Sequence, residues 1–350
     1  MIAERSKVWQ PLGAGIVLNV NAMSALRSLG IDDAISNIGF TLGEGQVTDQ
    51  DGLSLARTHF GSLTADFGPT IALHRADLHA TLLDAAHGAE IRLGTTVKDI
   101  TQHSGRVDVQ LTDGLEASFD LAIGADGIHS RTRELVFGPI AIDYSGYTCW
   151  RFVVDARLNQ NGLCEMWGRG KRVGVVPIGT DRFYVFAVCN RMGGVPDEEP
   201  GRLDRLRSLF SEFGGNVPPL LDAIEDSASL IHGDINSIAI GDWFKDRIAL
   251  IGDAAHAMTP NMGQVAGMAL EDAAVLVELL NASGSLSDIL ESYRMRREPR
   301  VRWVHDQSRR IGRIGQLENV LACRLRNFAA KLIPDRLSTR ALRSLVSKPI

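Results

Sequence analysis

A chain of 350 residues is long enough for two domains or one large one, and its composition of 45% apolar and 23% charged residues is typical of a globular protein. No apolar run reaches the ~20 residues that a membrane-spanning helix needs, and residues 1–5 lack the features of a signal peptide. The cysteines form no CxxC pair, so we expect reduced thiols in a cytoplasmic protein, with neither a disulfide framework nor a zinc site: they are Cys149, Cys164, Cys189 and Cys323.

The net charge of −5 is unevenly distributed. Residues 294–350 contain 15 Arg and Lys against 4 Asp and Glu, so the rest of the chain is acidic. Leu, Ile and Val recur at helical spacing in this basic segment, which favours an amphipathic helix packed on the acidic body. A basic tail that contacts a membrane or nucleic acid is the alternative. On balance, we expect neither partner.

Hydrophobic periodicity and turn residues predict elements of both kinds along the chain. The first part of the chain is predicted to contain the end of a strand at residues 1–5, a helix at 21–29, strands and turns over about 43–73 and a helix at 75–87. Two strands at 107–111 and 117–123 follow, joined by a turn at Asp113-Gly114, and then short strands over 144–190. The last part contains a helix at 203–213, a buried strand at 248–251, helices at 268–280 and about 288–310, and a helical tail. The glycine turns between the strands of 144–190 indicate an antiparallel sheet, and hence a second structural unit.

The segment 247–280 combines an apolar strand, a tight turn and a helix. Asp253 follows Gly252 directly after the strand, which places a carboxylate at the carboxyl end of a sheet strand, where open α/β sheets bind ligands. A loop from Thr259 to Gln264 then leads to a helix start, whose free N–H groups stabilise negative charge. By itself this pattern also fits a purely structural connection.

The same segment contains Gly252-Asp253-Ala254-Ala255-His256, then Pro260, Gly263-Gln264 and Glu271-Asp272-Ala273. This series resembles the second flavin motif of the FAD-dependent aromatic hydroxylases, the class A flavoprotein monooxygenases. The resemblance implies that Asp253 binds the ribityl chain of FAD. It also implies that the loop lies against the isoalloxazine ring through Pro260, Gly263, Val265 and Ala266.

Other segments extend the resemblance. Residues 121–130 contain Asp126-Gly127 before a helix start with Ser130 as a cap, and Arg133 follows. They resemble the family's Asp-Gly motif, which implies contacts of Asp126 and Gly127 with the FAD pyrophosphate and the nicotinamide nucleotide.

The N-terminal third supplies the remaining FAD-binding candidates. Glu4, with Arg5, ends a predicted strand and matches the acidic residue that binds the adenosine ribose. Gly13-Ala14-Gly15 resembles the family stretch beside the flavin, and Arg75, in the segment that starts at His74, resembles an Arg that reaches the FAD. We also assign Val97 to the FAD-binding set.

Two departures from the family pattern are present. The family begins with a strand and a Gly-x-Gly-x-x-Gly loop about 20 residues before the ribose acid, but three residues precede Glu4. We therefore expect a domain without its first strand, through a misplaced start codon, a truncated gene or another element that completes the sheet. In addition, Val265 stands where the family usually has Gly, and Val is poor at positive φ or close to a ring.

Arg172 and Tyr184, twelve residues apart, are the substrate candidates. They resemble pocket residues in the branch that contains urate hydroxylases and zeaxanthin epoxidase-like enzymes. The planar donors of Arg suit an anionic or carbonyl-rich ring, and a Tyr hydroxyl can orient a ring oxygen. Both residues also fit a plain sheet surface. HxH, HExxH and GxSxG patterns are absent from the sequence, which argues against a metal site and a serine hydrolase.

Together these observations predict a mixed α/β (α+β) protein. Its Rossmann-like FAD-binding domain comprises residues 1–140 and 236–290, an antiparallel-sheet substrate domain comprises 141–235, and C-terminal helices follow over 291–350; residues 43–73 are able to join the substrate sheet. The resemblance implies an FAD-dependent monooxygenase that uses NAD(P)H and O2 to hydroxylate or epoxidise a small, electron-rich aromatic or unsaturated substrate. A flavin-free remnant of such an enzyme is the alternative.

Overall fold

The computed structural model describes residues 1–9, 14–335, 339–340, 343 and 347, so Gly13, one of the predicted flavin contacts, lies outside the described residues. The strands are β1 (Ile2–Glu4), β2 (Gly15–Leu18), β3 (Phe40–Leu42), β4 (Glu44–Asp49), β5 (Ser54–His59), β6 (Thr70–His74), β7 (Ile91–Leu93), β8 (Val97–Gln102), β9 (Val107–Leu111), β10 (Glu116–Phe119), β11 (Ala122–Gly124), β12 (Ile142–Asp155), β13 (Leu163–Trp167), β14 (Lys171–Pro177), β15 (Arg182–Asn190), β16 (Ile231–Ile238), β17 (Phe244–Lys245) and β18 (Ile248–Leu250). The helices are α1 (Val20–Ser28), α2 (Asp32–Ile38), α3 (Gly61–Phe67), α4 (Arg75–Ala85), α5 (Arg131–Phe137), α6 (Arg202–Leu209), α7 (Val217–Asp222), α8 (Asp253–His256), α9 (Val265–Leu280), α10 (Leu286–Gly315) and α11 (Val320–Lys331).

The largest sheet has seven strands in the order β16-β12-β15-β14-β13-β4-β5. Its neighbours are antiparallel except for β13 and β4, which run parallel. One face packs against α6 and α7 through buried aromatic residues, among them Phe152, Phe183 and Phe210. β4 and β5 come from residues 43–73 and pair into this sheet, whereas β6, from the same stretch, pairs with β2 and β3.

Outside the seven-stranded sheet, the described part of the chain contains two further parallel pairs. β1 pairs with β7, and β11 pairs with β18, which β17 extends on the other side. Ile2 and Ile123 on these pairs remain 42% and 46% exposed. The mixed α/β class, the large sheet and the C-terminal helical region are as predicted, while the domain boundaries stay a prediction.

The strand expected over residues 117–123 is two strands. β10 ends at Phe119 after forming an antiparallel hairpin with β9, and β11 begins at Ala122 and pairs in parallel with β18. The chain therefore leaves one sheet for another within two residues. None of the helices in the described ranges combines the length and apolar character that crossing a bilayer requires.

A buried ion network connects the helices behind the turn that follows β18. Arg297 on α10 and the adjacent Glu271 and Asp272 on α9 are all 0% exposed. Arg297 donates to both carboxylates, with its Nε 2.8 Å from Asp272. Asp272 also accepts from the Gly252 backbone N–H at 2.9 Å and pairs with His256 Nε2 at 2.6 Å. Burial alone raises the pKa of Asp272, but His256 and Arg297 outweigh it and hold that pKa below the usual range.

Replacing Arg297 with Met should lower the free energy of unfolding by about 3–5 kcal/mol, because it leaves the buried Asp272 without its guanidinium partner, whereas Glu271 keeps its contact with Arg300. Urea denaturation followed by circular dichroism measures this change. Arg296→Met is the matched control, since that guanidinium pairs with the exposed Glu278 and such surface pairs contribute about 0–1 kcal/mol. An equal, small effect of both substitutions would contradict a structural role for the network.

Candidate cofactor and substrate site

A cavity of about 950 Å³ lies between the turn after β18, the start of α9 and one face of the seven-stranded sheet. It brings together predicted residues from both groups: Gly15, Arg75, Gly127, Asp253, Pro260, Gly263, Val265, Ala266, Arg172 and Tyr184. Other predicted residues lie outside its lining, namely Glu4, Arg5, Ala14, Val97 and Asp126. The cavity is therefore shared by candidates for flavin binding and candidates for substrate binding.

The turn after β18 presents Asp253 to this cavity. Gly252 has φ +57°, a conformation that favours glycine, and Asp253 begins the short helix α8. The carboxylate is open to the cavity, yet the protein atoms around it desolvate it, and this raises its pKa despite the opposing charges of His256 and Arg75. Arg75 is the first residue of α4, and its backbone N–H donates to the Ala14 carbonyl at 2.8 Å. Ala14 thus positions Arg75 from outside the cavity.

The loop before α9 forms a second wall. Gly263 has φ +61°, and its carbonyl accepts from Asn19 Nδ2 at 2.9 Å. Val265 is the first residue of α9 and is half-buried. Among the described non-glycine residues positive φ occurs at Asp246, so Val265 avoids the strained backbone that its sequence position suggested. The first-turn N–H groups of α9 and the positive end of its dipole lie at the cavity.

The Asp-Gly loop is held together by its own hydrogen bonds. The Asp126 carboxylate accepts from the Ser130 hydroxyl and from the backbone N–H of Thr132 at 2.8 Å. Ser130 caps α5 as expected, because its side chain accepts from the Arg133 N–H at 3.0 Å. Gly127, with φ +81°, lines the cavity.

Arg133 joins this loop to the turn that carries Asp253. Its side chain is 8% exposed and donates to the Ala254 carbonyl at 2.7 Å and to the Ile128 carbonyl at 2.6 Å. The sequence marked Arg133 as part of a motif but did not reveal this link, because the two carbonyls come from segments far apart in the chain.

Glu4, the last residue of β1, does not line the cavity. Glu4 Oε1 accepts from the Ser6 backbone N–H at 2.7 Å, and the neighbouring Arg5 is exposed. Val97, the first residue of β8, is half-buried. Contacts of these residues with the adenosine half of FAD stay a prediction.

Arg172 lies at the junction of the sheet, the flavin loop and the end of α10. It is 3% exposed and donates to Glu165 at 2.9 Å, to Asn261 at 2.7 Å and to Gln316 at 2.8 Å. A Cβ at Gly315 would lie 2.8 Å from Arg172 Cδ, so glycine makes room for this side chain. Within the described part of the chain these bonds use three of its five N–H donors and leave two.

Tyr184 on β15 fills the space that Gly15 leaves. A Cβ at Gly15 would lie 2.3 Å from Tyr184 Cβ, so Gly15 permits contact between β2 and the substrate sheet. Burial raises the pKa of Tyr184 well above its usual value, although Arg151 opposes that shift. The hydroxyl is therefore protonated at neutral pH and able to donate a hydrogen bond.

Sequence reasoning missed several lining residues. Tyr147, Cys149 and Arg151 alternate along β12, and all three face the cavity. The period of two that places alternate strand residues on one face was the available signal. Asn261, which bonds both Arg172 and the Tyr147 hydroxyl, had no such signal.

The residues at one end of the cavity fit the ring and ribityl chain of an FAD. Asp253 offers an acceptor for hydroxyl groups, Arg75 a cation, and the start of α9 a positive dipole end. Gly252 and Gly263 take the positive φ that shapes the two turns. Together, this acceptor, this cation and this helix end suit a ligand that carries both hydroxyl groups and negative charge.

Asp253→Asn should weaken FAD binding about 10-fold to 100-fold, because hydrogen bonds to a charged group contribute about 1.5–3 kcal/mol. Since the pKa of Asp253 is raised, affinity of the unsubstituted protein should fall as the pH drops through that value, and the variant should lack this slope. Flavin fluorescence titration at several pH values measures both effects. Asp155→Asn, at a carboxylate 85% exposed, is the control; equal affinity in both variants would contradict the role of Asp253.

Comparison with known proteins agrees with this geometry. Residues 1–308 match the FAD binding domain family. The chain is 36% identical to 2-heptyl-3-hydroxy-4(1H)-quinolone synthase of Pseudomonas aeruginosa, over 96% of this chain and 88% of that protein. It is 35% identical to aurachin C monooxygenase/isomerase of Stigmatella aurantiaca, over 100% of this chain and 92% of that protein.

Relatives also include zeaxanthin epoxidases and an FAD-dependent urate hydroxylase. Among solved structures, HpxO of Klebsiella pneumoniae complexed with FAD and uric acid is similar with a TM-score of 0.91 at 25% identity, covering 98% of this chain and 89% of that chain. The chain therefore belongs to the FAD binding domain family, in the branch of the FAD-dependent aromatic hydroxylases that contains urate hydroxylases and zeaxanthin epoxidase-like enzymes.

Proposed function

We propose that this chain is an FAD-dependent monooxygenase that uses NAD(P)H and O2 to hydroxylate or epoxidise an electron-rich aromatic or unsaturated small molecule. The observation that carries the proposal is the single cavity shared by Asp253, the start of α9, Arg172 and Tyr184. Bound FAD supplies the transfer of electrons from NAD(P)H to O2 and of one oxygen atom to the substrate. The protein binds and orients the cofactor and the substrate, and it excludes water.

On the flavin side, Asp253 accepts hydrogen bonds from the ribityl hydroxyls. Arg75 and the positive end of α9 stabilise negative charge on the ring system. Gly127 allows the backbone to approach the cofactor near the pyrophosphate, and Glu4 binds the adenosine ribose. These roles are supported by the motif positions and, for the residues that line the cavity, by their location.

On the substrate side, Arg172 and Tyr184 orient a ring oxygen. Arg172 is rigid because three partners hold it, and its remaining N–H groups are available to a carbonyl or an anionic oxygen. The protonated hydroxyl of Tyr184 donates a hydrogen bond. Apolar side chains from three strands and from the residue before α3 line the same end and exclude water, namely Leu163, Val176, Phe186 and Phe60.

The apolar end of the cavity favours a substrate with a hydrophobic substituent. The name of the relative from Pseudomonas aeruginosa specifies a quinolone ring with a heptyl chain. We extend the proposal accordingly to a bicyclic heteroaromatic ring that carries a carbonyl group and an alkyl chain. The carbonyl would lie at Arg172 and the chain along the apolar wall.

The purified full chain should be yellow with stoichiometric FAD, and it should oxidise NADH or NADPH faster when a 2-alkyl-4-quinolone is added. Mass spectrometry should find one labelled oxygen atom in the product when isotopically labelled O2 is supplied. Colourless protein that FAD cannot reconstitute would instead support the flavin-free remnant. If the flavin is reduced but no labelled product forms, the protein acts as an oxidase, and the monooxygenase proposal is contradicted.

Tyr184→Phe should lower kcat/KM for the quinolone about tenfold, the equivalent of one hydrogen bond of about 1.4 kcal/mol, with FAD affinity unchanged. Tyr144→Phe is the matched control, because the Tyr144 hydroxyl donates to the Arg191 carbonyl at 2.6 Å and lies outside the cavity lining. Steady-state kinetics with each variant separates the two tyrosines. Equal kcat/KM values would place substrate binding elsewhere.

A further inference from the structure

The outer face of α11 carries an exposed row of large apolar side chains. Leu321, Leu325 and Phe328 are 65%, 61% and 63% exposed, and Leu332, directly after the helix, is 66% exposed. Their spacing of four, three and four residues places them in one stripe along the helix. Single exposed apolar residues are common on protein surfaces, but a contiguous patch marks a contact with another surface. We name these four residues the apolar stripe.

The opposite face of α11 is firmly attached to the body of the protein. Cys323 and Arg326 are 6% and 7% exposed. Arg326 donates to the carbonyls of Gly315 and Gly168, both at 3.1 Å. Asn319 caps the helix by accepting from the Ala322 N–H at 3.0 Å. The apolar stripe is therefore presented by an anchored helix. The sequence predicted that the apolar face of this segment packs on the body, but in α11 the side that faces the body carries Cys323 and Arg326 and the apolar row faces outward.

The charges beside the apolar stripe indicate what covers it. At about 100° per residue, Arg324 and Lys331 lie on the same flank of the stripe, and both are exposed. Within the described ranges neither side chain forms an ion pair. The segment 294–350 contains 15 basic and 4 acidic residues. A second copy packed antiparallel on the stripe would bring the same basic flank against this one and be repelled, whereas an anionic surface complements the flank in any orientation.

We infer that α11 binds the surface of a membrane that contains anionic phospholipids, which reverses the expectation from the sequence that the basic segment contacts no membrane. The apolar stripe enters the boundary between headgroups and acyl chains, and Arg324 and Lys331 contact lipid phosphates. The helix lies in the plane of the interface, since its 12 residues are too few to span the bilayer and its apolar side chains lie on one side. This inference is independent of the proposed chemistry, because it depends on the outer surface of the protein alone.

Flotation of the purified full chain with vesicles provides the test. The protein should float with phosphatidylcholine vesicles that contain phosphatidylglycerol, and less with phosphatidylcholine alone. The double variant Leu325→Glu, Phe328→Glu should lose this binding. Leu53→Glu is the matched control, because Leu53 is also 61% exposed but lies in the turn between β4 and β5.

The charged flank has its own variants. Arg324→Gln and Lys331→Gln should each weaken binding to anionic vesicles about fivefold, the equivalent of about 1 kcal/mol for each charge, and reduce its dependence on salt. The thermal unfolding temperature and FAD content should stay unchanged in every variant, since these side chains are exposed. The inference is overturned if the protein does not bind anionic vesicles, or if the double variant binds as well as the unsubstituted chain. A dimer that dissociates in the double variant, seen by light scattering, would assign the apolar stripe to a second copy instead.

Discussion

The buried contact of Arg297 with the adjacent carboxylates of Glu271 and Asp272 is the interaction on which the flavin side of the cavity depends. Two neighbouring carboxylates without water would destabilise the fold by several kcal/mol if no cation compensated them. Compensated, they hold the backbone rigidly, because Asp272 accepts from the Gly252 N–H and Glu271 accepts from Asn21 on α1. The same charges thus hold the turn that carries Asp253, the candidate partner of the ribityl chain, and the helix α9, whose positive dipole end lies at the cavity.

A second network does the same for the substrate side. Arg172 joins the sheet at Glu165, the flavin loop at Asn261 and the end of α10 at Gln316. The two halves of the cavity therefore cannot move apart without breaking buried hydrogen bonds. Gln316 also donates to the Asn190 side chain at 2.7 Å, next to the connection between α10 and α11. The helix with the apolar stripe is in this way continuous with the wall of the candidate substrate pocket.

Some of the local expectations failed for instructive reasons. Val265 looked unsuitable from its place in the motif, yet it begins α9 with ordinary helical geometry, because the positive φ is taken two residues earlier by Gly263. The stretch 117–123 has one uninterrupted strand pattern, with an apolar residue at every second position, but it belongs to two sheets. Such a pattern predicts which side chains share a face and not which strand they pair with. The Asp126 carboxylate accepts hydrogen bonds within its own loop, and its contact with the FAD pyrophosphate stays a prediction.

The sequence by itself determined the family, the mixed fold and the tight turn at Gly252, because a glycine and a carboxylate directly after an apolar strand are local features of the chain. Only the tertiary structure decided which side chains meet in the cavity. Arg172 reaches Gln316 across 144 residues of chain, and Tyr184 occupies the space beside Gly15. Contacts of this kind depend on how sheets and helices pack against one another, and a linear pattern carries no distance between residues so far apart.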